Sequence, residues 1–159
     1  MRLRYLLAVA AVLCFGALAS PTHAAMGFSA TLSGAAENPD VVTPATGFAI
    51  LMLNDAETEV SYHIEFSGLL AAETAAHFHG PQCDPSLNAG VVFPLPLGSP
   101  KVGVWPIEPD EVTALKNGCI YVNIHSTLFP GGEIRGNLQR DDSVPTATTT
   151  WGRLKVTYR

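Results

Sequence analysis

The chain reads as an all-β protein, an antiparallel sandwich or barrel of Greek-key-like order with one short helix. Three observations predict this. Apolar residues recur with a period of two in three separate runs: Phe28, Ala30 and Leu32; Val60, Tyr62, Ile64 and Phe66; Ile120, Val122 and Ile124. That period gives a strand one buried and one wet face. Turn-forming clusters punctuate the chain at Asn38-Pro39-Asp40, Asn54-Asp55, Gly80-Pro81, Gly98-Ser99-Pro100 and Pro130-Gly131-Gly132, and short strands at such spacing belong to sandwiches and barrels. Only Pro109 to Lys116 carries helical punctuation, with Pro109-Asp110-Glu111 as an acidic first turn and Asn117-Gly118 as the stop.

At the N-terminus, Arg2 and Arg4 precede an apolar run from Tyr5 to Leu18 and a small-residue site at Thr22-His23-Ala24. This is the pattern of a signal peptide over residues 1–24. The run is short for a membrane span, and Cys14 follows Leu13 inside it, where a lipobox would need a small residue. Cleavage would leave roughly 135 residues, enough for one domain, with seven basic against fourteen acidic side chains and a formal charge of −7. Such a balance argues against nucleic acid and anionic membrane surfaces as partners. The mature chain is expected to contain no membrane span and to reside in the periplasm or outside the cell. Two cysteines would remain, Cys83 and Cys119, and an oxidising compartment predicts a disulfide between them.

The strands follow in order. Phe28 to Ser33 alternates cleanly, Phe48 to Leu53 is continuously apolar and suits a central strand, and Val60 to Phe66 alternates again. Phe28, Leu32, Ile50, Tyr62, Ile64, Phe66, Val122 and Ile124 are the expected inward set. His63 lies opposite Tyr62 and Ile64, as a solvated strand residue. Pro81 to Pro100, rich in proline and glycine, reads as a long loop that Cys83 would staple to the strand beginning at Cys119. Glu133 and Arg135, two apart beside the Pro130-Gly131-Gly132 turn, read as a structural ion pair. An arginine would hold the glutamate ionised and make it a poor general acid. Glu37, in its Glu-Asn-Pro turn, reads as a loop-closing acceptor. Residues 140–159 read as a polar linker, Asp141 to Thr150, and a short C-terminal segment, Trp151 to Arg159.

Several motifs carry a family resemblance. Phe28-Ser29-Ala30-Thr31-Leu32-Ser33-Gly34 with Glu37-Asn38-Pro39, then Thr46-Gly47-Phe48-Ala49 and Phe66-Ser67-Gly68-Leu69, precede Ala76-His77-Phe78-His79-Gly80-Pro81. Tyr121-Val122-Asn123-Ile124-His125-Ser126 and Phe129-Pro130-Gly131-Gly132-Glu133-Ile134-Arg135-Gly136 complete the series. In this order, over residues 27–139, they resemble the CHRD domain, first recognised in chordin and found in bacterial secreted proteins. The expected fold is then a sandwich or barrel of immunoglobulin-like or Cu/Zn superoxide dismutase-like form. The resemblance implies an extracytoplasmic binding or structural module with an extracellular protein or other ligand as partner. No Gly-x-Ser-x-Gly elbow, phosphate-binding glycine loop or His-Glu-x-x-His occurs, so the chain is expected not to be an enzyme.

The histidines admit a second class of function. His77 and His79 share one strand face with Phe78 turned the other way, and His125 faces away from Val122 and Ile124. Two same-face histidines and a third on another strand are a way to build a copper or zinc site, and hence a periplasmic metal-binding or redox protein. The His-x-His step is similar to that of the Cu/Zn superoxide dismutases, but Gln82 to Pro100 contains no histidine to match their further zinc ligands. The competing reading makes His77 and His125 hydrogen-bonding residues that tie loops together, with Tyr121 and Asn123 as partners.

Overall fold

One antiparallel sheet curls into a nearly closed barrel in a computed structural model that describes residues 25–144. The expected signal peptide and the segment beyond 144 lie outside the described residues. The strands are β1 (Met26–Ser33), β2 (Thr46–Leu53), β3 (Glu59–Ser67), β4 (Glu73–His79), β5 (Val91–Leu95), β6 (Lys101–Pro106), β7 (Tyr121–Ser126), β8 (Ile134–Asn137) and β9 (Gln139–Arg140). Their order is β5-β4-β7-β8-β1-β2-β3-β6, with β9 pairing β1 beside that path. The neighbours β3/β6 and β4/β7 are the Greek-key returns, each placing a strand beside one three earlier in the chain.

The inward alternation holds for most of the expected core. Phe28, Leu32, Tyr62, Ile64, Val122 and Ile124 are buried together, with Phe66 half-buried against them. Phe78, Phe93 and Trp105 stack on one another, and Tyr62 meets Phe78 edge-on. Ile50 is a correction. In β2 it is Ala49, Leu51 and Leu53 that join the main core, while Ile50 packs outside with Val144, Phe48 and Met52. A continuous apolar run does not say which parity faces in, and both faces of β2 are covered. The same outer layer corrects His63, which is 3 % exposed, stacks on Phe48 and reaches Glu65 at 2.7 Å.

Two other expectations are refined. The Pro81–Pro100 stretch is not all loop, because Val91–Leu95 pairs with β4 as β5. The described start of the expected linker is attached to the sheet: β9 pairs β1, the Asp141 N–H donates to the Gly27 carbonyl at 2.9 Å, and Val144 is buried. The helix α1 spans Pro109–Lys116, opened by the Glu108 N–H bond to Glu111 and closed at Gly118, whose φ of 70° lies in the left-handed region. Cys83 and Cys119 form the expected disulfide, with Cα atoms 4.0 Å apart. Among the described residues no helix is long and apolar enough to cross a membrane.

The barrel has a seam between β5 and β6, the two ends of the path. Lys101, 1 % exposed, crosses it: its ammonium donates to Glu73 on β4 and to the carbonyls of Pro96 and Gly98 at 2.6 and 2.9 Å. A buried ammonium is tolerated only when so saturated.

Candidate functional site

The register between β4 and β7 builds the site. Ala76 lies opposite Ile124 and Phe78 opposite Val122, all pointing into the core. The intervening residues therefore point outward together: His77 opposite Asn123, His79 opposite Tyr121, and Ala75 opposite His125. Across β7 and β8, Asn123 faces Arg135 and Tyr121 faces Asn137. This polar outer face is not open to solvent along its length. The segment after β4, anchored by Cys83–Cys119 and by the Gln82 N–H bond to the Cys119 carbonyl at 2.8 Å, folds back over it.

The three histidines named from sequence come together. One ring nitrogen from each of His77, His79 and His125 lies within 4.8 Å of the others. His79 and His125 are each 8 % exposed and His77 is half-buried, so the cluster opens at His77. His79 Nδ1 lies 3.0 Å from the Ala89 carbonyl, and His125 Nδ1 lies 3.0 Å from the Pro130 carbonyl. A carbonyl only accepts, so both rings carry their proton on Nδ1 and present an Nε2 lone pair to the cluster. His79 Nε2 is buried with no hydrogen-bond partner. His77 Nδ1 stands 3.2 Å from His125 Nε2. Burial lowers the pKa of all three histidines, and neighbouring imidazoles lower those of His77 and His79 further. The rings are held neutral, the form that can ligate a metal.

A metal fits this arrangement. Imidazole nitrogens about 2.0–2.1 Å from one zinc ion stand about 3.3 Å apart in a tetrahedral site, so closure requires movements of about an ångström. Backbone carbonyls fixing the far nitrogen of two rings are the usual outer shell of such ligands. No carboxylate or cysteine among the described residues joins the cluster.

Arg135 and Tyr121 extend the face. The guanidinium carbon sits 3.5 Å from the centre of the Tyr121 ring, and that ring stacks on His79 with centroids 4.9 Å apart and planes 3° from parallel. Arg135 is fully buried, and its donors go to Asn137 Oδ1 at 3.3 Å, Asn88 Oδ1 at 3.1 Å and the Leu87 carbonyl at 3.2 Å. The expected ion pair with Glu133 does not form. Glu133 precedes β8 in a bend, so strand alternation does not govern it. Its carboxylate accepts from Thr43 Oγ1 and the Leu70 N–H, both at 2.7 Å. Burial alone would raise its pKa, but bonds from Ser126, Leu70 and Thr43 outweigh that and hold it below the ordinary value.

Sequence reasoning gave Glu37 only a turn-closing role. It is 6 % exposed, and burial pushes its pKa up to about 7 against the opposing pull of Arg135. Its Oε1 and Asn123 Oδ1 are both buried without partners, and both crowd Gly132, where a Cβ would meet them at 2.6 and 2.4 Å. A protonated Glu37 can donate to the amide oxygen and satisfy both atoms at once. Glu37 also lines a surface cleft of about 360 Å³ with Asn38, Asn88, Leu128 and Phe129. Only its Glu-Asn-Pro context hinted at a special role.

The family model described as CHRD domain matches residues 28–138. No curated protein and no solved structure matches the chain.

Proposed function

The chain belongs to the CHRD-domain family, and from that premise we propose that it is an exported binding module whose polar β4–β7 face takes up a transition-metal ion, copper or zinc. The observation that carries the metal reading is the convergence of His77, His79 and His125, with the outer nitrogens of two rings tied to the Ala89 and Pro130 carbonyls. His77 Nδ1, His79 Nε2 and His125 Nε2 would be the protein ligands, leaving a position at the half-buried His77 side for a further donor. A metal there supplies Lewis acidity, or a one-electron couple if it is copper. The protein's own contribution is to fix ring tautomers and hold the imidazoles neutral. Export is supported by the pattern of residues 1–24 and by a disulfide, a bond that persists in oxidising compartments.

The test is calorimetric titration of the mature protein with Zn²⁺ and Cu²⁺, repeated on a His77→Ala/His79→Ala variant. The parent should bind one equivalent and the variant should lose at least a hundredfold in affinity. Equal binding by both, or binding by neither, would make the histidines loop-tying residues and leave the binding or structural module reading alone. Fractionation of the producing cells, with the mature N-terminus read by mass spectrometry, tests export.

A further inference from the structure

We propose that the His77–His79–His125 site is built to hold copper as the monovalent ion in preference to divalent copper or zinc, with Arg135 as the residue that sets this preference through its stack on Tyr121 and His79. The inference rests on the metal reading above and deepens it. Three features of the face carry it, and all concern charge.

The ligand set is neutral. Three imidazoles with no carboxylate or thiolate among them give a bound ion no compensating negative charge. The desolvation cost of an ion grows steeply with its charge, so a neutral, largely buried cage penalises a dication far more than a monocation. Zinc sites commonly meet this cost with thiolates or carboxylates, and here the one relief for a dication is the position left open at His77.

A fixed positive charge lies behind the cage. The Arg135 guanidinium sits over the Tyr121 ring, which stacks flat on His79. Arg135 cannot shed its proton, and its hydrogen bonds go to neutral oxygens, those of Asn88, Asn137 and Leu87. Glu37, the acid whose charge it feels, has its pKa pushed up to about 7 by burial, so its negative charge is incomplete near neutrality. The guanidinium therefore repels a second positive charge on the metal more than it repels the first. For charges about 9 Å apart at an effective dielectric of about 20, one extra charge corresponds to a factor of roughly twenty in binding.

Geometry points the same way. A monovalent copper ion accepts three ligands without a fourth, and the cluster supplies three nitrogens within 4.8 Å of one another. His77 Nδ1 and His125 Nε2 are already 3.2 Å apart. The buried Nε2 of His79 has no other partner.

The experiment compares affinities in the mature protein. Monovalent copper is titrated anaerobically against a chromophoric chelator, and Cu²⁺ and Zn²⁺ are titrated by competition at the same pH and ionic strength. Wild-type protein should bind the monovalent ion at least a hundredfold more tightly than Zn²⁺. Arg135→Gln should narrow the gap between monovalent and divalent copper about tenfold, while Arg135→Lys, which keeps the charge, should preserve most of it. Circular dichroism checks that each variant is folded. Tighter Zn²⁺ than monovalent copper binding by wild-type protein would overturn the proposal even if no variant folds. So would a gap unchanged in a folded Arg135→Gln. Binding of no metal at all would instead remove the reading on which it rests.

Discussion

Replacing Glu37 by glutamine should stabilise the domain by an amount that grows as pH rises from about 4.5 and levels off above about 7. The carboxyl is 6 % exposed and its pKa rises from 4.5 to about 7, chiefly through burial. In the unfolded chain the group ionises near 4.5, so between that value and about 7 the folded state binds the extra proton. Stability must then fall as pH rises through this window. At about 1.36 kcal/mol per unit, the full difference is about 3 kcal/mol. Glutamine cannot ionise, and its amide can still donate to the Asn123 oxygen. The variant and parent should therefore be nearly equal in stability at pH 4.5, and the variant should be ahead by about 3 kcal/mol at pH 8. Urea unfolding followed by tryptophan fluorescence at half-unit pH steps measures this. Other titrating groups, including the three histidines with their lowered pKa values, are common to both proteins and cancel in the comparison. A difference that does not change with pH would show that Glu37 is not protonated in the fold. A variant less stable at pH 8 would show that attraction to Arg135 outweighs burial.

Four further outcomes rest on the geometry. The unfolded, unreduced mature protein should contain no titratable thiol, and reduction of Cys83–Cys119, 36 residues apart, should cost about 4 kcal/mol by chain entropy, read from the shift in urea midpoint. Ile124→Ala, at a fully buried core position, should cost about 2–5 kcal/mol. Val104→Ala, 48 % exposed on β6, should stay within about 0.5 kcal/mol. Gly132→Ala should lose about 2 kcal/mol or more, because its φ of 133° is hostile to a side chain and the new Cβ would strike Asn123 and Glu37.

The parts of this fold that could be read from sequence are those where one letter decides one face. Strict alternation in β1, β3 and β7 placed Phe28, Tyr62 and Ile124 correctly, and Pro109 and Gly118 bracketed the helix. β5 escaped because Pro94 and a short apolar run look like loop, and its strand character comes from pairing with β4. Ile50 and His63 were misplaced because the outer face of β2 and β3 is itself covered, which no local pattern announces. The convergence of the histidines followed from face parity. What orients them did not, because the Ala89 and Pro130 carbonyls are backbone atoms with no letter of their own. The Glu133–Arg135 pair failed at a bend, where the i, i+2 rule no longer applies.

The seam at Lys101 has a consequence for behaviour at high concentration. A sheet that closes fully has nothing to offer another chain, whereas this one leaves β5 and β6 as unpaired margins flanked by exposed Val91, Val102 and Val104. Those margins are poor templates for a foreign strand. Pro94 interrupts one and Pro106 ends the other, each removing a donor from the row a newcomer would have to match. The lysine that ties the margins to Glu73 and two carbonyls keeps them facing each other rather than outward. A crowded solution of the protein therefore meets two interrupted borders instead of one continuous ladder.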